Sequence, residues 1–297
     1  MQEINSLISS FIKELDYEPI LQMYERISTG KMLRSKLIMA IAGSSENAIN
    51  LCAIVEMIHL ASLLHDDVID EADTRRGTPS INALYGTKDA VMLGDVLYSK
   101  AFSKLSGFAP EISNKISNAV AGLSVGELMD VRLGDGFSVD VEAYWRMIYL
   151  KTAILIEASA YSAAVLAGFD ADKFGVYGKS LGLAFQIIDD VLDITQSSEV
   201  LGKPALNDFS EGKTTLPYIY LYERLGESDK ERLKSLYKKS LSYDEVMWLK
   251  KVMRESGAIN ECVNRAKTLA AEALEAISEY KNEKLQSIIK NMIDREF

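Results

Sequence analysis

The sequence predicts an all-α fold, and three observations carry that expectation. Only five prolines interrupt 297 residues, and the segments between them are rich in Leu, Ile, Ala, Met, Lys and Glu. Apolar residues recur at the spacing of an amphipathic helix rather than with the alternation of a strand. With 48% hydrophobic residues and no break in composition, the chain reads as a single domain over residues 1–297 with a sizeable core.

Ile4, Leu7, Ile8, Phe11, Ile12 and Leu15 mark a first amphipathic helix; Leu33, Leu37, Ile38 and Ile41 mark another that stops near Gly43. From Asn47 to Glu71 runs a helix with little polar surface, the pattern of a central element. Thr74 to Gly86, with Gly77, Pro79 and Gly86, reads as a loop. Helices are then expected over Lys88–Leu105, Glu111–Leu133, Val141–Ala167 and Asp172–Ile194, with turns at Gly107, Gly134-Asp-Gly136 and Gly168. Gln196 to Gly212 is the longest irregular stretch. After Pro217 the chain is more charged, which suits amphipathic helices on the outside.

A net charge of −10 and a pI near 4.9 argue against nucleic acid as a partner, because phosphate backbones require clustered Lys and Arg. Cys52 and Cys262 are far apart and suggest neither a disulfide framework nor a metal spacing, which points to a reducing cytoplasm. The start of the chain lacks a basic segment leading into a long apolar one, and no run of about 18 apolar residues is expected to span a bilayer.

Chemistry concentrates in Leu63-Leu-His-Asp-Asp-Val-Ile-Asp-Glu-Ala-Asp-Thr-Arg-Arg-Gly77. Asp66 and Asp70 stand at i and i+4, so both project from one helix face with Asp67 beside them. Acids so placed repel unless a cation sits between them, and carboxylates suit a hard ion such as Mg²⁺. One such motif is more often a solvated helix end. Here Gln186-Ile-Ile-Asp-Asp-Val-Leu-Asp193 repeats it on a second apolar run, with Asp189, Asp190 and Asp193. Basic segments follow both copies: Arg75-Arg76-Gly77, then Gly202-Lys-Pro and Glu211-Gly-Lys-Thr-Thr. If the two tips face each other they form a metal-lined mouth with cationic walls, which suits a diphosphate.

These paired motifs, with Arg75-Arg76-Gly77 after the first and Gln186 before the second, resemble those of the trans-isoprenyl diphosphate synthases, or polyprenyl synthetases, from Gly30 to about Pro217. The resemblance implies the helical bundle of the isoprenoid synthases around a central, largely apolar cavity, and a cytoplasmic homodimer. It also implies three Mg²⁺ ions, with Mn²⁺ as a substitute, and isopentenyl diphosphate and an allylic prenyl diphosphate as substrates.

Gly30-Lys-Met-Leu-Arg34 is similar to the family's Gly-Lys-Arg-x-Arg-Pro element, with Met32 and Ser35 in place of Arg and Pro. The resemblance implies that Lys31, Arg34, His59 and Arg76 hold isopentenyl diphosphate. It gives Arg75, Lys151, Thr152, Gln186, Lys203 and Lys213 to the allylic diphosphate, and Asp66, Asp67, Asp70, Asp189, Asp190 and Asp193 to the metal. Arg matches phosphate bidentately and Lys acts as a point charge. Lys151 lies in an apolar helix, where an unpaired ammonium is costly unless it meets an anion. His65 is taken as structural. Phe185 is either a core aromatic or a ring facing a carbocation.

Ala61 and Ser62 lie one turn below the acids. Where the family carries bulky aromatics there, products are short; the small pair therefore resembles enzymes making geranylgeranyl or longer chains. The same pair also reads as plain packing residues. Met92, Leu93, Val96, Leu128 or Met129 are alternative floors for such a cavity. Three other classes compete with this reading. A terpene cyclase would carry a different second motif, and a non-catalytic subunit would lack acids or bases that are present here. A di-iron bundle would need more than the one Glu56-x-x-His59 pair.

Overall fold

The computed structural model describes residues 1–28, 30–196 and 206–293, and 79% of it is helical. The chain order begins α1 (Gln2–Lys13), α2 (Glu18–Glu25), α3 (Leu33–Ala42) and α4 (Glu46–Ile69). A hairpin of β1 (Thr74–Arg75) and β2 (Thr78–Pro79) leads to α5 (Ile81–Tyr85), α6 (Thr87–Leu105), α7 (Pro110–Leu133) and α8 (Val141–Ile148). A π-helical turn, Tyr149–Ala153, joins α8 to α9 (Ile154–Ala167), and α10 (Ala171–Thr195) follows. The remainder is α11 (Asn207–Ser210), α12 (Leu216–Arg224), α13 (Glu227–Leu236), α14 (Tyr243–Glu255), α15 (Ala258–Ala276) and α16 (Glu283–Ile293). Contacts divide the chain into two compact units, Met1–Ala121 with Leu155–Gly175, and Gly122–Ile154 with Val176–Phe297.

In the first unit α4 packs on α6, α3 and α1. Its residues Leu51 to Val55, Met57 and Ile58 have no exposed surface, as the scarcity of polar residues predicts. Ser45 starts it by accepting the Ala48 N–H, a cap typically worth about 1 kcal/mol. The His65 ring packs against α6 at Gly94, where an added Cβ would overlap it.

The second unit has its own core, in which Phe209, Tyr218, Leu221, Leu233 and Leu249 are buried together. Here two glycines matter for the site. A Cβ on Gly126 of α7 would lie 2.6 Å from the Leu150 carbonyl carbon, and one on Gly182 of α10 would lie 2.6 Å from Ala153 Cα. The π turn is thus pinched between two helices that come close to its backbone because they carry no side chain there.

The structure refines the expected elements at three places. The Thr74–Gly86 loop contains the hairpin and α5; the Gln196–Gly212 stretch contains α11; and the Val141–Ala167 helix carries a π turn in its middle. Among the described residues two helices, Glu46–Ile69 and Val141–Ala167, are long and apolar enough by length and composition to cross a membrane, which counting uninterrupted apolar runs overlooks. Of their most apolar windows, 61% and 50% is buried inside the structure.

Candidate functional site

In the first unit Asp66 and Asp67 stand at the end of α4 and Asp70 caps it, its N–H donating to the Asp66 carbonyl at 2.8 Å. A helix C-terminus carries partial negative charge, and this last turn holds no basic residue, so the acids deepen a potential that favours a cation. The three diverge in burial: Asp67 is 3% exposed, Asp66 half-buried and Asp70 exposed.

Arg75 is what covers Asp67. Its Nε and Nη2 reach Oδ1 at 2.7 and 2.6 Å. The hairpin brings Arg75 back by a turn with φ of 55° at Arg76 and 75° at Gly77. Two positive-φ central residues give the type I′ geometry that matches strand twist. Arg76 in turn donates to the Ser28 carbonyl at 2.8 Å and lies over Gly30, where an added Cβ would fall 2.6 Å from its guanidinium.

Arg34, in the first turn of α3, has a buried Nε with no hydrogen-bond partner among the described residues. Burial pushes its pKa down, opposed by the Glu56 carboxylate. Glu56, itself buried, accepts from Ser35 at 2.7 Å. Burial, then the charges of Arg34, Arg76 and Arg75, hold His59 well below the ordinary imidazole value. Three guanidinium groups and a neutral imidazole therefore share one neighbourhood, and the orphaned donor is what an anion would satisfy. Lys31 is exposed just outside α3.

Ala61 has no exposed surface, whereas Ser62 is half-buried with its hydroxyl donating to the His59 carbonyl at 2.9 Å. Of the alternative floor residues, Leu93 is fully buried, while Met92 and Leu128 are each 57% exposed.

In the second unit a cleft of about 140 Å³ gathers residues from three distant segments: Lys151 and Thr152 on the π turn, Gln186 and Asp190 on α10, and Lys213. A chain of hydrogen bonds fixes its wall. Thr152 donates to Gln186 at 2.7 Å, Gln186 donates to Asp190 at 2.9 Å, and Tyr144 donates to the other Asp190 oxygen at 2.6 Å. Asp190 is 2% exposed; burial pushes its pKa well up, helped by Asp208 and opposed by the Tyr144 and Gln186 donors. Asp193 is 3% exposed and accepts the Asp208 N–H at 3.2 Å. Asp189 is half-buried. Lys213 donates its N–H to the Asp208 carbonyl at 2.7 Å, and its Nζ lies 3.2 Å from Glu211. Phe185 is half-buried beside Gln186. Lys203 lies outside the described residues.

Lys151 does meet an anion, supplied by the protein. Its Nζ lies 2.8 Å from Glu127 and 2.6 Å from Asp130. Sequence reasoning passed over Glu127, Asp130, Tyr144, Asp208 and Glu56 as site residues. The signal for the first two was present in Gly122-x-x-x-Gly126, which marks a helix face open to close approach just before them.

The cleft tests whether a divalent ion fits. Its wall carries Asp130, Asp140, Asp190 and Asp208 against Lys151 and Lys213, an excess of carboxylate that would repel a bare diphosphate. All-oxygen donors are also what Mg²⁺ takes, and a bound cation reverses the local electrostatics. Among the described residues no three acid, His or Cys groups already converge as a metal cluster.

The polyprenyl synthetase family model matches residues 17–256. A short-chain isoprenyl diphosphate synthase of Methanothermobacter thermautotrophicus is 36% identical over 243 residues, 77% of this chain and 75% of that protein. An octaprenyl diphosphate synthase of Haemophilus influenzae is 32% identical over 100% of this chain and 94% of its own. The crystal structure of octaprenyl pyrophosphate synthase from Helicobacter pylori superposes with a TM-score of 0.95 at 47% identity, covering 99% of this chain and 98% of that one.

Proposed function

Because the chain belongs to the polyprenyl synthetase family, we propose that it joins isopentenyl diphosphate to an allylic diphosphate head to tail, making an all-trans prenyl diphosphate of geranylgeranyl length or longer. Its relatives are trans-prenyltransferases, and several make long chains. The observation that carries the reading is the second-unit cleft, where Lys151, Thr152, Gln186 and Lys213 line one space.

In this reading Lys151 and Lys213 supply fixed positive charge to the allylic diphosphate, with Thr152 and Gln186 as hydrogen-bonding partners. Arg34, Arg76 and Lys31, beside neutral His59, bind and orient isopentenyl diphosphate so that its double bond can attack the allylic carbon. Arg75 is held by Asp67 and orients the hairpin on which Arg76 sits. Lys203 serves the allylic diphosphate.

For the metal we retain the less buried acids, Asp66, Asp70 and Asp189, as ligands for Mg²⁺. Asp67, Asp190 and Asp193 are buried and hydrogen-bonded by the protein, and support those ligands from behind. Mg²⁺, when bound, neutralises charge on the departing diphosphate. No protein nucleophile is required.

The whole chain is read as one polyprenyl synthetase domain, cytoplasmic, acting as a homodimer; exposed Leu84, Tyr85 and Met92 in α5 and α6 are apolar surface such a partner would cover. The shorter-chain reading is favoured by the Methanothermobacter relative's name, and one experiment separates the two. The purified chain is incubated with Mg²⁺, labelled isopentenyl diphosphate and allylic starters of several lengths. We expect products of 20 carbons or more, lost on chelation, and 10- or 15-carbon products would favour the alternative. No elongation from any starter would overturn the enzyme reading.

A further inference from the structure

Lys151 is the cleft cation whose surroundings are most fully determined. Its backbone belongs to the π turn that Gly126 and Gly182 pinch from two sides, and π turns of this kind occur often at functional sites. The turn of α7 that admits the backbone also bears the two carboxylates that hold the ammonium, Glu127 at 2.8 Å and Asp130 at 2.6 Å. One contact would leave a four-carbon stem free to swing, whereas two from one helix fix where the charge sits.

The arrangement is a poor device for stability alone. Lysine, glutamate and aspartate side chains are only 23%, 12% and 9% exposed, so two carboxylates share one ammonium where water hardly reaches. Glu127 Oε1 is buried with no hydrogen-bond partner among the described residues. An excess buried charge costs free energy, which weighs against a purely structural ion pair. A charge fixed before its ligand arrives avoids reorganisation when the ligand's own charge builds up.

We infer that Glu127 and Asp130 are positioning residues that set the Lys151 ammonium at the cleft wall for the allylic diphosphate. This rests on the reading of that cleft given above.

The test uses the full chain with Mg²⁺, isopentenyl diphosphate and an allylic starter. Glu127→Gln and Asp130→Asn are each made alone and in a Lys151→Ala background. Each alone should lower kcat about tenfold while KM for isopentenyl diphosphate stays within about twofold. In the Lys151→Ala background the further loss should be under about twofold, because residues acting through one another are not additive. Equal losses in both backgrounds, or unchanged kcat in the single variants, would overturn the inference.

A second readout needs no turnover. Acetylation of Lys151 by limiting acetic anhydride, followed by mass spectrometry, should rise about fivefold when Glu127→Gln and Asp130→Asn are combined, since the ammonium loses two carboxylates that hold it. Unchanged labelling overturns the inference whatever the activity. If the wild-type chain elongates no starter, the functional reading fails, while the labelling still decides whether the carboxylates hold the lysine. Thermal melts near that of the wild type establish that the variants fold.

Discussion

The two acid clusters share the letters Asp-Asp-x-x-Asp but are built differently. In the first, only the middle acid is buried, and an arginine from the following hairpin neutralises it. In the second, the middle and last acids are both buried; Asp190 accepts from the neutral donors Tyr144 and Gln186, and one Asp193 oxygen accepts the Asp208 N–H. The first cluster sits where α4 ends and the chain turns outward; the second sits within α10, packed from several sides. An identical motif thus leaves Asp66 half-buried and Asp70 exposed at a helix end, and Asp189 half-buried inside a helix. The remaining acids become part of the fold.

That contrast breaks first on activity. Asp66→Asn or Asp189→Asn should lower kcat roughly a thousandfold at unchanged melting temperature, the scale of removing a principal source of transition-state charge stabilisation. Steady-state kinetics giving a loss under about tenfold would return these acids to the class of solvated surface charge.

It should appear next in stability, with the order reversed. Asp190→Ala leaves Tyr144 and Gln186 without their acceptor and should cost about 1–3 kcal/mol in urea unfolding, the price of orphaned buried polar groups. Asp70→Ala, at an exposed position, should stay within about 0.5 kcal/mol of wild type. Similar values for the pair would erase the distinction.

A third measurement sharpens the comparison beneath the first cluster. Ser62→Phe should shorten the prenyl product. Ala61→Phe should cost about 1–3 kcal/mol by overpacking a site with no exposed surface. If the Ser62 variant makes the wild-type product, the cavity floor lies elsewhere.

The smallest effect is in pH dependence, and it belongs to the first unit, which holds both histidines. His59 titrates below 6.5 in the folded chain, so on acidification the unfolded chain takes up this proton first. Its contribution is therefore fully present above the unfolded pKa of about 6.5 and is lost as pH falls from there towards the folded value. Urea midpoints measured from pH 7.5 to 5 should show a slope that His59→Gln reduces. An unchanged slope would mean that the imidazole is not held neutral by its burial and its arginine neighbours.

Much of the helical frame was legible because its signals are local. Gly43 ends α3 with a φ of 72°, Ser45 caps α4, and the near-absence of polar residues from Leu51 to Ile58 announced burial before any coordinate. The π turn was not legible: Tyr149-Leu-Lys-Thr-Ala153 has an ordinary helical composition, and its distortion accompanies the close approach of Gly126 and Gly182 from other helices. The hairpin at Arg75 was missed because a two-residue strand has no periodicity to read.

By itself the sequence determined which side chains could do chemistry, since the acids, bases and their spacing along each helix are set by covalent order and the helical repeat. Only the tertiary structure decided which of them are already engaged. Asp67 with Arg75, Asp190 with Tyr144, and Lys151 with Glu127 and Asp130 are partnerships between residues 8, 46, and 24 and 21 positions apart. A carboxylate's role follows from its solvation and its neighbours, and those are fixed by packing across such separations rather than by the adjacent residues.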